Sequence, residues 1–184
     1  MEGMRTLWVP LILALVLLTG CGDLPSVEGL ATSENTVFDQ ALVGAWSAGD
    51  AVVISQANGD KSYSVSWLET DSNEPPRIAR MQAHLAQVGD EKILDLTSAD
   101  PGAFTIPCHV FLRVHSVPEG LDVRFVDSGW IQDRVRENSL ENFVQDDHPV
   151  IIAATPKVAA FLLQFGLDQR AQNAPMILRP LKQN

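Results

Sequence analysis

From residue 43 to residue 126 the chain alternates short apolar runs with turn signals, the spacing of an antiparallel meander rather than of helices. Val43–Ser47 and Ala51–Gln56 flank Gly49-Asp50 and form the first predicted pair of strands. Asn58-Gly59-Asp60 is a hairpin turn of the type that favours a left-handed backbone. Ser62–Glu69 then alternates cleanly, with Tyr63, Val65 and Trp67 on one face and Ser62, Ser64 and Ser66 on the other. Ile78–Val88 fits either a strand or a helix by its period, and the Gly89-Asp90 turn into Lys92–Thr97 favours the strand. After a long loop over Ser98–Pro107, His109–Val117 and Leu121–Val126 make a second hairpin through Pro118-Glu119-Gly120. Val110, Leu112 and Val114 share one face of it, as do Leu121, Val123 and Phe125.

Beyond Val126 the period changes. Gly129–Asn138 reads as a helix, and Ser139 as the cap of a short helical piece carrying Leu140 and Phe143. Pro149–Ala153 is one more strand. Thr155-Pro156 is an N-cap followed by proline at the first helical position, and Val158, Phe161, Leu162 and Phe165 then recur at i, i+3, i+4, i+7. Met176–Leu181 is a final extended segment. The expected class is therefore mainly β with α additions: an antiparallel meander curled into a barrel or a strongly curved sheet. A helical insertion and a C-terminal helix pack on it. A short helical turn over Val37–Leu42 precedes the first strand.

Charge narrows the partners. The 184 residues carry a formal net charge of −10 and no basic run, which argues against nucleic acid and against an electrostatic grip on anionic lipid. Of the two cysteines, Cys108 is flanked by Ile106 and Val110 and reads as a buried strand-edge thiol.

Before the meander lies a segment of another kind. Met1–Arg5 is a basic start, Leu7–Leu18 an apolar run interrupted by Pro10, and Leu18-Thr19-Gly20-Cys21 closes it with small residues and a cysteine. The run is shorter than the roughly 20 apolar residues of a comfortable span. This stretch resembles the lipobox signal of bacterial lipoproteins. The resemblance implies that residues 1–20 are removed and that Cys21 is acylated as the first mature residue. It also implies attachment to the cell envelope, with Gly22 after the cysteine favouring the outer membrane, facing the periplasm, in a host with two membranes. Removal leaves roughly 160 residues, enough for one domain. Residues 21–36, rich in Ser, Gly, Thr and Pro, read as a flexible tether, and 37–184 as the single domain. Acylation of Cys21 would leave Cys108 alone and the domain without an internal disulfide.

Gly44-Ala45-Trp46 on the first strand, preceded by a helical turn and followed by a meander and a late helix, resembles the lipocalin (calycin) β-barrels. There a Gly-x-Trp closes one end of the barrel and a late arginine packs over the tryptophan. Arg179 and Arg124 both qualify by position. The helical segment between Val126 and Pro149 departs from that pattern.

Candidate chemistry is sparse. His109 and His115 share a strand face but lie ~20 Å apart along it, too far for one metal ion, so no metal or cofactor is expected. Ser128 and His148 sit in no nucleophile motif, and Asp95, Asp127 and Asp133 are the carboxylates available for paired acid–base work. The expectation is a non-catalytic envelope lipoprotein whose barrel binds a small apolar ligand or lipid, with Tyr63 and Trp67 lining the site. The alternatives are a scaffold that docks another envelope protein and, third, a hydrolase.

Overall fold

Alternation along eight strands closes into a barrel. The structure, a computed structural model, describes residues 25–69, 75–100, 107–127, 130, 133–134, 137, 141–145, 148–167 and 174–181, with backbone alone for 143–145, 148–149 and 165–167. Its strands are β1 (Thr36–Val37), β2 (Gly44–Ala48), β3 (Ala51–Ala57), β4 (Ser62–Glu69), β5 (Arg77–Val88), β6 (Glu91–Ser98), β7 (His109–Val117), β8 (Gly120–Phe125), β9 (Asn142–Gln145), β10 (His148–Ile151) and β11 (Met176–Pro180). A short 3-10 turn covers Gln40–Leu42, and helix α1 covers Thr155–Leu167. Strands β2 to β8 pair in succession, β11 sits between β8 and β2, and β5 also pairs with β6, so the sheet is closed and antiparallel throughout. β9 and β10 form a separate two-stranded ribbon.

Every hairpin tip falls at one of two ends. The 57–62, 88–91 and 117–120 turns lie at one end, where β1 pairs with β5 beyond the last β4 partner and the 3-10 turn follows. This end is plugged: Leu42 is buried there beside Tyr63 and Leu85. The 48–51 turn lies at the other end, as do the strand ends Glu69, Arg77, Ser98 and His109.

Two apolar cores result, one on each side of the barrel wall. Inward residues form the first: Trp46, Val53, Tyr63, Val65, Ala83, Leu85, Leu96, Leu112, Val114, Leu121, Val123 and Leu178 are all buried. An eight-stranded barrel is about wide enough for such side chains to fill it. The second core lies outside, where α1 lays Val158, Phe161 and Leu162 on Ala86, Val88, Ile93 and Phe111, with Leu30, Trp130 and Ile151 at its edges. The Trp130 and Phe161 rings are 4.9 Å apart. β5 is thus buried on both faces towards its C-terminal end and exposed at Ile78–Arg80. That double burial is why its sequence carries no clean period.

Three local expectations change, and a fourth holds at the residues described. Phe143 lies on strand β9, not on a helical piece capped by Ser139; Ser139 and Leu140 are outside the described residues. Within Gly129–Asn138, the described Trp130, Asp133 and Arg134 are helical, and Asp127 accepts the Trp130 N–H at 2.9 Å. Thr155 opens α1 as its first helical residue, and its hydroxyl donates to the Gly29 carbonyl at 2.8 Å instead of capping its own first turn. Finally, the tether expected from Gly22 to about Asn35 is docked from Pro25 onward. Ser26 exchanges both backbone hydrogen bonds with His109 (2.8 and 2.7 Å), Val27 and Pro25 bond Ile151, and Ser26 and Leu30 are fully buried. Its small residues serve close approach rather than flexibility: a Cβ on Gly29 would lie 2.7 Å from His109 Cε1.

Candidate functional site

The two residues expected to line a ligand site sit at opposite ends of the same strand face. Tyr63 belongs to the plug. Its ring stacks on Phe38 with centroids 5.4 Å apart, and its hydroxyl accepts from the Asp39 N–H (2.8 Å) and donates to the Asp39 carbonyl (3.2 Å). Burial pushes its phenol above the ordinary range. Tyr63 therefore closes the barrel and has no surface left for a ligand. Trp67 lies four residues on, ~13 Å along β4. It is half-buried, and its indole N–H donates to the Glu69 carboxylate at 3.1 Å. Around it at the end that no described residue plugs, Ala48, Met81, Val110, Phe125 and Met176 are partly buried and packed on the inner core. This apolar rim of the barrel mouth is the candidate site; Trp67 belongs to it and Tyr63 does not. Cys21 lies outside the described residues.

Trp46 faces inward from β2, with its ring against Gly44, where a Cβ would stand 3.4 Å from Cζ2. Neither expected arginine covers it. Leu121, Val123 and Leu178 take the inward positions of β8 and β11, so Arg124 and Arg179 point outward. Arg124 pairs with Asp122 at 2.8 Å, and Arg179 is exposed. Among the described residues the buried Trp46 indole N–H finds no hydrogen-bond partner.

Two polar clusters on the outer wall hold the histidines of β7. In the first, Asp95 on β6 is 3 % exposed. One carboxylate oxygen accepts the N–H groups of Leu30 (2.7 Å) and Ala31 (3.1 Å), and the other meets His109 Nδ1 at 2.6 Å. This cluster pins the docked segment to the barrel, a role that strand alternation alone does not signal. In the second, Arg113 binds Glu91 through two nitrogens (2.6 and 2.8 Å), and His115 Nε2 reaches the same carboxylate at 2.9 Å. The two histidines thus serve different acids, and among the described residues no three metal-ligating groups gather. Asp95 and Asp127 likewise engage separate partners. Ser128 and the His148 side chain lie outside the described residues. Cys108 is half-buried, and burial pushes its thiol upward, away from the thiolate.

Four carboxyls are held below their ordinary range: Asp39 by its bond to Lys92, Asp60 by its bonds from Ser62, Asp122 by Arg124, and Glu91, against the upward push of burial, by Arg113 and His115 together. A depressed carboxyl stabilises the fold above its unfolded value and loses that contribution as pH falls through its folded value. Stability to urea is therefore expected to fall as pH drops from about 5 towards about 3. Arg113→Met should flatten part of that slope, and an unchanged slope would remove Glu91 as a source.

The chain matches no family model, no curated protein and no solved structure.

Proposed function

We propose that this chain is a lipid-anchored bacterial envelope lipoprotein whose barrel, lipocalin-like in design, holds a small apolar ligand at its unplugged end without catalysing a reaction. The anchor reading rests on Leu18-Thr19-Gly20-Cys21. The ligand reading rests on one observation: the rim of Trp67, Met81, Val110, Phe125 and Met176 is apolar and only partly buried, in continuity with an apolar interior. A closed end opposite an apolar mouth is the arrangement in which a barrel of this size accepts the tail of one amphipathic molecule. The Glu69 carboxylate on the Trp67 indole leaves a polar margin for its head.

The probe of choice is 11-(dansylamino)undecanoic acid, titrated against the chain from Gly22 onward. Saturable enhancement at one probe per chain is expected, weakened about ten-fold by Trp67→Ala, the effect of losing about 1.4 kcal/mol of apolar contact. Non-saturating fluorescence, or saturable binding indifferent to Trp67, would reject the mouth as the site.

A further inference from the structure

The outer wall near the mouth carries an apolar row, exposed at Ile54 and Ile78 and half-buried at Val52 and Leu68. Val52, Leu68 and Ile78 stand directly opposite one another on β3, β4 and β5, all pointing away from the interior. Ile54 lies two residues along β3 on the same face. Ile78 is 58 % exposed and Ile54 41 %. Isolated apolar residues on a surface are ordinary, but a row across three strands at one end of a barrel is a patch.

The docked N-terminal segment says what faces this patch. Ser26 bridges to His109, the first residue of β7, and β7 starts at the mouth end. Only three residues separate Cys21 from Pro25, four Cα steps with a reach of roughly 14 Å at full extension. β7 runs on for nine residues, ~30 Å, before it reaches the plugged end. An acylated Cys21 cannot swing past the barrel to that end. The anchor holds the mouth near the bilayer and the plug away from it.

Charge does not oppose this orientation on a zwitterionic surface: Asp60, Asp90 and Glu119 occupy hairpin tips of the plugged end, with Lys61 beside Asp60, and Asp50 occupies the 48–51 tip at the mouth. At the mouth, Arg77 and Arg80 flank Ile78 and stand beside Glu69 and Asp100: Arg77 is opposite Glu69 in register, and Arg80 is 4.0 Å from Asp100.

We propose that the β3–β5 wall at the mouth, through Val52, Ile54, Leu68 and Ile78, seats on the surface of a zwitterionic phospholipid bilayer, so that the mouth opens towards the lipid. The proposal rests on Cys21 as the acylated residue. The acyl chains supply the attachment, and the apolar row sets the orientation. The ligand class this implies is a membrane-derived amphiphile with one thin apolar tail.

The test uses the full chain, expressed in a lipoprotein-processing bacterium and reconstituted into phosphatidylcholine vesicles. In a Cys108→Ser background, a nitroxide is placed at Ile78→Cys or, at the plugged end, at Lys61→Cys. The Ile78 label is expected to collide with oxygen at least five times more readily, relative to a water-soluble nickel chelate, than the Lys61 label. Ile54→Cys provides a second exposed position on the same wall and should behave like Ile78. Equal exposure of the wall and Lys61 labels to the chelate overturns the seating, as does lipid protection at Lys61. Spin–spin broadening at Ile78 without oxygen enrichment would assign the patch to a second copy of the chain. Failure of the parent chain to float with vesicles is a separate result: it removes the anchor and the seating with it.

Discussion

Replacing Asp95 with alanine is expected to lower the unfolding free energy by about 3 kcal/mol, a large share of the roughly 5–15 kcal/mol typical of a domain. Asp95 is 3 % exposed and holds three donors, from Leu30, Ala31 and His109. Without the carboxylate, the protein has two courses. If the N-terminal segment stays docked, two buried N–H groups and the His109 ring lose their acceptor, at about 1–3 kcal/mol for each group left unsatisfied. If it undocks, water satisfies the amides, but Leu30 is withdrawn from the outer core at about 2 kcal/mol of lost burial. The first course sums to at least about 3 kcal/mol, and the second nears that figure only when the segment's loosened backbone bonds are added to Leu30. The Ser26 and Val27 backbone bonds would loosen in the second. Urea midpoints give the magnitude, and amide exchange at Leu30 and Ala31 distinguishes the courses. A loss below about 1 kcal/mol would show that the carboxylate does not pin this segment.

The second large effect is at the seam where the barrel closes. Gly120 opens β8 with φ +144°, and a Cβ there would lie 2.0 Å from the Leu178 carbonyl oxygen on β11. The clash is with backbone, so no rotamer relieves it. Either β11 shifts and its pairing with β8 at Leu121 and Asp122 weakens, or Gly120 adopts another backbone angle and the hairpin distorts. Gly120→Ala is expected to cost at least about 3 kcal/mol. Gly49→Ala is the comparison without a clash: φ is +62° there, in the left-handed helical region, and nothing lies within 4 Å of the added carbon. Its expected cost is about 1 kcal/mol. Thermal melts of the two variants side by side test the difference, and equal losses would refute the steric account.

Strand positions were legible because inward and outward surroundings differ so strongly along most of the barrel. Ser62–Glu69 and His109–Val117 alternate across an apolar interior and a solvated wall, and both appear with the bounds their sequence predicts. The docked segment was illegible for the opposite reason. Its serines, glycine and threonine match the composition of a linker, and what fixes them comes from Asp95, His109 and Ile151, far along the chain. Asp95 itself occupies an outward position of β6, where alternation predicts a solvated acid, and its burial is imposed by a segment that no local pattern announces. At the candidate site, alternation placed Tyr63 and Trp67 correctly on one face. It gave no depth along the barrel, and depth is what separates a plug residue from a rim residue.

The order in which the strands join has a kinetic consequence. β2 forms early in the chain, yet its second neighbour is β11, at the far C-terminal end, and β11 is also what β8 needs. Contacts of such long sequence separation slow folding, because the loop must be closed before they stabilise anything. Until the last ten or so residues arrive, a nascent chain presents two open sheet edges, the form of a folding intermediate most prone to pair with another copy. Truncation before Met176 would remove β11 and leave the β2 and β8 edges open permanently.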